Sequence, residues 1–90
     1  MIAIVKLSEI LPHFVHAVNT GDYETANKIF KQMKSLLSLL KAQIGRSENY
    51  KKIDDIMKEL ETCIRHRMKR SEALQQELLY AFADMGIPVR

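Results

Sequence analysis

The chain has 90 residues, of which 47% are hydrophobic and 28% charged, with a formal net charge of +3. That is the balance of one small globular domain over residues 1–90, not of a disordered or fibrous chain. Tryptophan is absent and aromatics are 7%, too few for the base-stacking platforms of single-strand binders. The single cysteine, Cys63, excludes an intramolecular disulfide and points to a reducing, cytoplasmic setting.

Residues 1–5 are apolar but too short for a secretory core and have no basic segment before them, and no apolar run reaches transmembrane length. The chain is expected to be soluble. The first helix presents Leu7, Ile10, Leu11, Phe14, Val15 and Val18 on one face. It starts near residue 2, bent at Pro12, or near residue 7 with Ser8 as cap, and runs to residue 19. Thr20-Gly21-Asp22 breaks it, with Asp22 placed to cap the second helix.

The second helix is well specified from residue 23. Ala26, Phe30, Met33, Leu37, Leu40 and Ile44 alternate four and three apart, and Ile29, Leu36 and Leu39 widen the stripe so that it packs on two neighbours. Glu24 and Lys41 complement the helix dipole, and Gly45 marks its end.

Residues 47–86 read as one long amphipathic helix. Tyr50, Ile53, Ile56, Met57, Leu60, Cys63, Ile64, Met68, Leu74, Leu78, Phe82 and Met85 keep the helical spacing with no proline or glycine between them. Ser47 caps its start, and Gly86 followed by Pro88 closes its end. Such a helix would be about 57 Å long, far beyond a compact domain of this size. The expected architecture is an all-α, antiparallel three-helix bundle with a long third helix. It becomes four helices if the chain breaks near Ser71, a usable cap.

Chemistry-bearing constellations are sparse. His13 and His16, with Cys63 and His66, permit a four-ligand zinc site on paper. The two histidines of the first helix project away from its apolar face while Cys63 borders the apolar stripe, so convergence would work against the packing. No phosphate loop, nucleophile elbow or walled carboxylate pair is present. Asp54 with Lys58, and Glu61 with Arg65, have the spacing of ordinary surface pairs. The reading is a non-enzymatic protein without metal or cofactor.

The basicity is local. Arg65, Arg67, Lys69 and Arg70 form a cluster where the apolar stripe thins to Met68, and without them the chain would be slightly acidic. Such a patch suits phosphates, anionic headgroups or an acidic protein segment. Lys28, Lys31, Lys34, Lys51 and Lys52 look scattered in sequence and do not supply an evident second basic element. Beyond the cluster, Leu74, Leu78, Leu79, Phe82 and Met85 form an apolar face that two shorter helices cannot cover, which marks it as a partner-binding or self-association surface. Five methionines add adaptable contact area.

Gly21-Asp22-Tyr23-Glu24-Thr25-Ala26, followed by Phe30, resembles a single tetratricopeptide-like hairpin. Residues 8–78 resemble the three-helix microtubule-interacting-and-transport domain, with Arg70-Ser71-Glu72-Ala73-Leu74 similar to a stretch of its third helix, although Pro12 fits its first helix poorly. Almost the whole chain resembles flagellar export chaperones of the FliT type: a helix, a Gly-Asp turn, a leucine-rich second helix, then a long amphipathic helix. The arginine expected in their second helix is replaced around Met33-Lys34. That resemblance implies a cytoplasmic chaperone binding the amphipathic helix of an export substrate, with Leu74, Leu78, Phe82 and Met85 as binding or self-masking surface. A dimer is the expected assembly. The alternative is a small basic nucleic-acid-binding or regulatory protein acting through Arg65, Arg67, Lys69 and Arg70.

Overall fold

The computed structural model describes residues 2–44 and 48–87. Four helices account for most of them: α1 (Ile2–Asn19), α2 (Tyr23–Ile44), α3 (Glu48–Arg65) and α4 (Arg70–Asp84). The stop at Gly45, the cap at Ser47 and the block at Pro88 lie outside the described residues. Helix α1 runs through Pro12 from Ile2, and Pro12 sits on its exposed face, so the lost backbone bond falls outside the core.

Spatial neighbours are α1 with α2, α2 with α3, α3 with α4, and α4 with α1, the last pairing being the narrowest. The helices thus run up, down, up and down around one core. Phe14, Phe30 and Phe82 are its largest fully buried side chains, joined by Leu7, Leu11, Met33, Leu40, Ile53, Leu60 and Leu78. Phe14 and Phe30 meet across α1 and α2 with ring centroids 6.3 Å apart, in the range of attractive tilted pairs.

The long third helix expected over residues 47–86 is not formed. The longest dimension of the molecule is 33 Å, and α4 folds back onto α3 and α1. Leu74, Leu78 and Phe82 are consequently 3%, 1% and 0% exposed, and Leu79 and Met85 pack partly buried against the same core. The overhang that motivated a partner for this face does not exist in the folded monomer. Burying each large side chain stabilises the closed form by about 1.5–3 kcal/mol. Ser71 is not the cap either: Lys69 holds that position without a side-chain bond, and Ser71 is the second residue of the helix, fully buried.

Three helix ends share one design. After α1, the Asp22 and Gly21 amides donate to the Ala17 and Val18 carbonyls; after α4, those of Ile87 and Gly86 donate to Phe82 and Ala83. After α3, the Met68 and Arg67 amides donate to Cys63 and Ile64. Each is the six-to-one, five-to-two pairing that needs a left-handed residue at its pivot. Gly21 (φ 76) and Gly86 (φ 83) supply it without strain, whereas at the third end the pivot is Arg67, φ 54. Replacing Arg67 with Gly is expected to raise unfolding stability by about 1 kcal/mol, measurable by urea titration, because a side chain in this region costs about 1–2 kcal/mol.

Asp22 serves two helices. Its amide closes the α1 motif, and its Oδ1 accepts the Thr25 amide at 3.3 Å. Hydrogen bonding from Thr25, first from its side chain and then from this amide, holds the Asp22 carboxyl below the ordinary value of 3.8. Because the folded pKa is depressed, the stabilisation is present above pH 3.8 and is lost as pH falls through the lower folded value. Thermal melts between pH 2 and 5 should show the Asp22→Asn variant losing less stability on acidification than the wild type.

Candidate functional site

The face between α2 and α3 carries the most concentrated charge chemistry. Antiparallel packing sets Lys41 against Asp54, in contact through Nζ and Oδ2, and Lys34 Nζ 3.2 Å from Glu61 Oε2. Glu61 also receives Arg65 Nη2 at 3.5 Å from its other oxygen. These pairs are partly exposed and set register more than stability.

Farther along the same face, toward the start of α2 and the end of α3, the ladder opens. A groove of about 500 Å³ is lined by Tyr23, Asn27 and Lys31 from α2, by Ile64 and Arg65 from the end of α3 and by Arg67 from the turn after it, with Glu24 and Glu61 on its walls. Lys28, exposed on α2, stands 4.0 Å from Glu24. Neither Lys31 nor Arg67 has a carboxylate within ion-pair distance among the described residues. Arg67 lies in the left-handed turn that follows α3.

The structure therefore divides the basic cluster read from sequence. Arg65 and Arg67 join Lys31 in the α2–α3 groove. Arg70 opens α4 and donates Nη2 to Glu59 Oε1 at 3.0 Å, and Lys69 is exposed in the turn. Lys31 acquires its place only through the register of α2 on α3, which sequence spacing alone does not reveal. The complementary Lys34 and Glu61 were the available signal.

A second feature escaped the sequence reading altogether. Gln75 is 1% exposed on α4, and its Nε2 donates to Asn19 Oδ1, at the end of α1, at 2.7 Å. Its own Oε1 and the buried Ser71 Oγ have no partner among the described residues. The Gln75–Asn19 bond thus makes a polar seam between α1 and α4. Its signal is a polar pair four apart, Ser71 and Gln75, within the row Leu74, Leu78 and Phe82.

The paper zinc ligands are dispersed by environment: Cys63 is buried in the core, while His13, His16 and His66 are exposed. No three metal-ligating side chains gather among the described residues. Tyr50 is buried below Lys41, whose Nζ lies 6.0 Å from the ring centroid, and burial pushes its phenol up. No helix among the described residues is long and apolar enough to cross a membrane. No protein-family model, curated protein or solved structure gives a match to this chain.

Proposed function

We propose that the chain is a non-enzymatic helical adaptor that binds an acidic, amphipathic helical segment of a partner protein along the α2–α3 face. The observation that carries this reading is the meeting of Lys31, Arg65 and Arg67 in one groove beside the half-buried Tyr23 and the buried Ile64. Cations on α2, at the end of α3 and in the turn after it, beside the half-buried ring of Tyr23, suit a helix bearing carboxylates on one side and aliphatic groups on the other. Glu24 and Glu61 in the walls favour a peptide, which can offer both charge signs, over the uniform phosphates of a nucleic acid. A cytoplasmic chaperone of the FliT kind is the specific version, with one change: the row Leu74, Leu78 and Phe82 is spent on the chain's own core, so the charged groove meets the substrate.

The test is fluorescence anisotropy with a labelled helical peptide that carries glutamates four residues apart opposite a leucine face, beside a labelled 20-base-pair DNA duplex. Peptide binding that weakens as salt rises and falls at least about tenfold in the Lys31→Glu, Arg67→Glu double variant is expected. Tighter binding to the duplex, with a steep salt slope, would replace this reading with the nucleic-acid one.

A further inference from the structure

The turn between α3 and α4 combines three features that disfavour it locally. Residues 66–69, His-Arg-Met-Lys, contain neither glycine nor proline, yet Arg67 is held at φ 54. The new helix starts at Arg70, and Lys69 before it makes no side-chain cap. Two residues later Ser71 is buried with its hydroxyl unpartnered among the described residues. Each of these is relieved if residues 66–69 become helical: Arg67 returns to the right-handed region, no helix end remains to be capped, and the Ser71 hydroxyl can bond the carbonyl four residues back.

We infer that the chain exchanges α4 between two copies, α3 and α4 straightening into one helix over residues 48–84 while each α4 fills the place of its partner's. The trough that α4 occupies on α3 and α1 is an interaction surface, and the segment that fits it is α4 of a second copy. Three details favour this occupant. The exchanged helix brings the same side chains to the same trough, so the buried rows of Leu74, Leu78 and Phe82 and the Gln75–Asn19 bond are recovered between chains. The Arg70–Glu59 pair, 3.0 Å apart in the monomer, places residue 70 of one helix opposite residue 59 of its antiparallel neighbour. Two straightened helices in that register are related by a twofold axis near residues 64 and 65, the closed symmetry that a self-complementary contact needs. Finally, Met68, 44% exposed in the monomer, would extend the four-spaced row Ile56, Leu60 and Ile64 of a continuous helix and fall close to that axis. Arg67 belongs both to this hinge and to the α2–α3 groove, but the exchange is read from mass and crosslinks and does not require the adaptor reading.

The experiment uses the full chain with Cys63→Ala, Glu59→Cys and Arg70→Cys, refolded at high concentration from mild denaturant and treated with a short bismaleimide. Light scattering during size exclusion reads mass, and a denaturing gel reads whether the link lies within or between chains. The closed monomer links within a chain; the exchanged dimer links between chains and keeps its helicity. A helical dimer with interchain links is expected. Arg67→Gly, which favours the bent turn in both copies at once, should weaken dimerisation by about a hundredfold, roughly tenfold for each hinge. Arg67→Ala, which keeps the strain of the turn while favouring helix, should not weaken it. A protein that stays monomeric at every concentration after refolding, or a dimer linked only within chains, would overturn the exchange. So would a dimer indifferent to Arg67→Gly.

Discussion

Changing Phe82 to Ala should unfold the bundle, not merely release its last helix. Phe82 is 0% exposed and belongs to a single cluster with residues of all four helices, so its truncation removes transfer energy and leaves a cavity, together about 3–5 kcal/mol. A domain of this size has only about 5–13 kcal/mol in total. In thermal melts followed by circular dichroism the midpoint is expected to fall by about 15–30 °C, with loss of helicity in one cooperative step. Leu39→Ser is the comparison: Leu39 is 55% exposed, and its loss should stay within about 0.5 kcal/mol. A Phe82→Ala protein whose α1, α2 and α3 remain folded while its last segment melts would show that α4 is an appendage. It would also restore an open apolar face as the working surface.

The second large effect is expected at the polar seam, where the two partners of one hydrogen bond should respond in opposite directions. Asn19 is exposed and Gln75 is buried. Asn19→Ala therefore strands the Gln75 amide in the core and should cost about 1–3 kcal/mol, whereas water satisfies Asn19 when Gln75 is the residue removed. Gln75→Leu takes away a buried carbonyl oxygen that already lacks a partner and should be neutral or stabilising by about 1 kcal/mol. With Gln75→Leu in place, adding Asn19→Ala should change little, a non-additivity that urea unfolding of the four proteins would read directly. If Gln75→Leu instead destabilises as much as Asn19→Ala, the amide is fully satisfied and the seam contributes net stability.

Much of the architecture was legible in the residues because it rests on period and punctuation. The apolar positions of the second helix recur at helical spacing, and Ala26, Phe30, Met33, Leu37 and Leu40 are all buried. Gly21 and Gly86 are the only glycines among the described residues, and both sit at left-handed pivots where a side chain would strain the backbone. Asp22 comes directly after the first of them and caps the next helix, as its side chain favours. Such features depend on a few neighbouring residues, so a single sequence displays them.

The break at residues 66–69 was legible only as an alternative, through a usable cap at Ser71 that the four-helix structure does not use. Local preference there runs toward helix, and the bend exists because folding α4 back buries Leu74, Leu78, Phe82 and Ile87. That gain, about 1.5–3 kcal/mol for each large side chain, outweighs the roughly 1–2 kcal/mol of a left-handed Arg67. Tertiary packing therefore decided the helix count against the local signal. It also decided the candidate site, since Lys31 and Arg67 are distant in sequence and meet only through the register of α2 on α3. By itself the sequence determined an all-helical chain, most of the positions its helices bury, Leu39 and Met68 being exposed exceptions, and the two turns that carry glycine, because each arises from short-range geometry. Where α4 lies and which cations share a groove depend on contacts between residues far apart along the chain, and those energies appear only once the helices are packed.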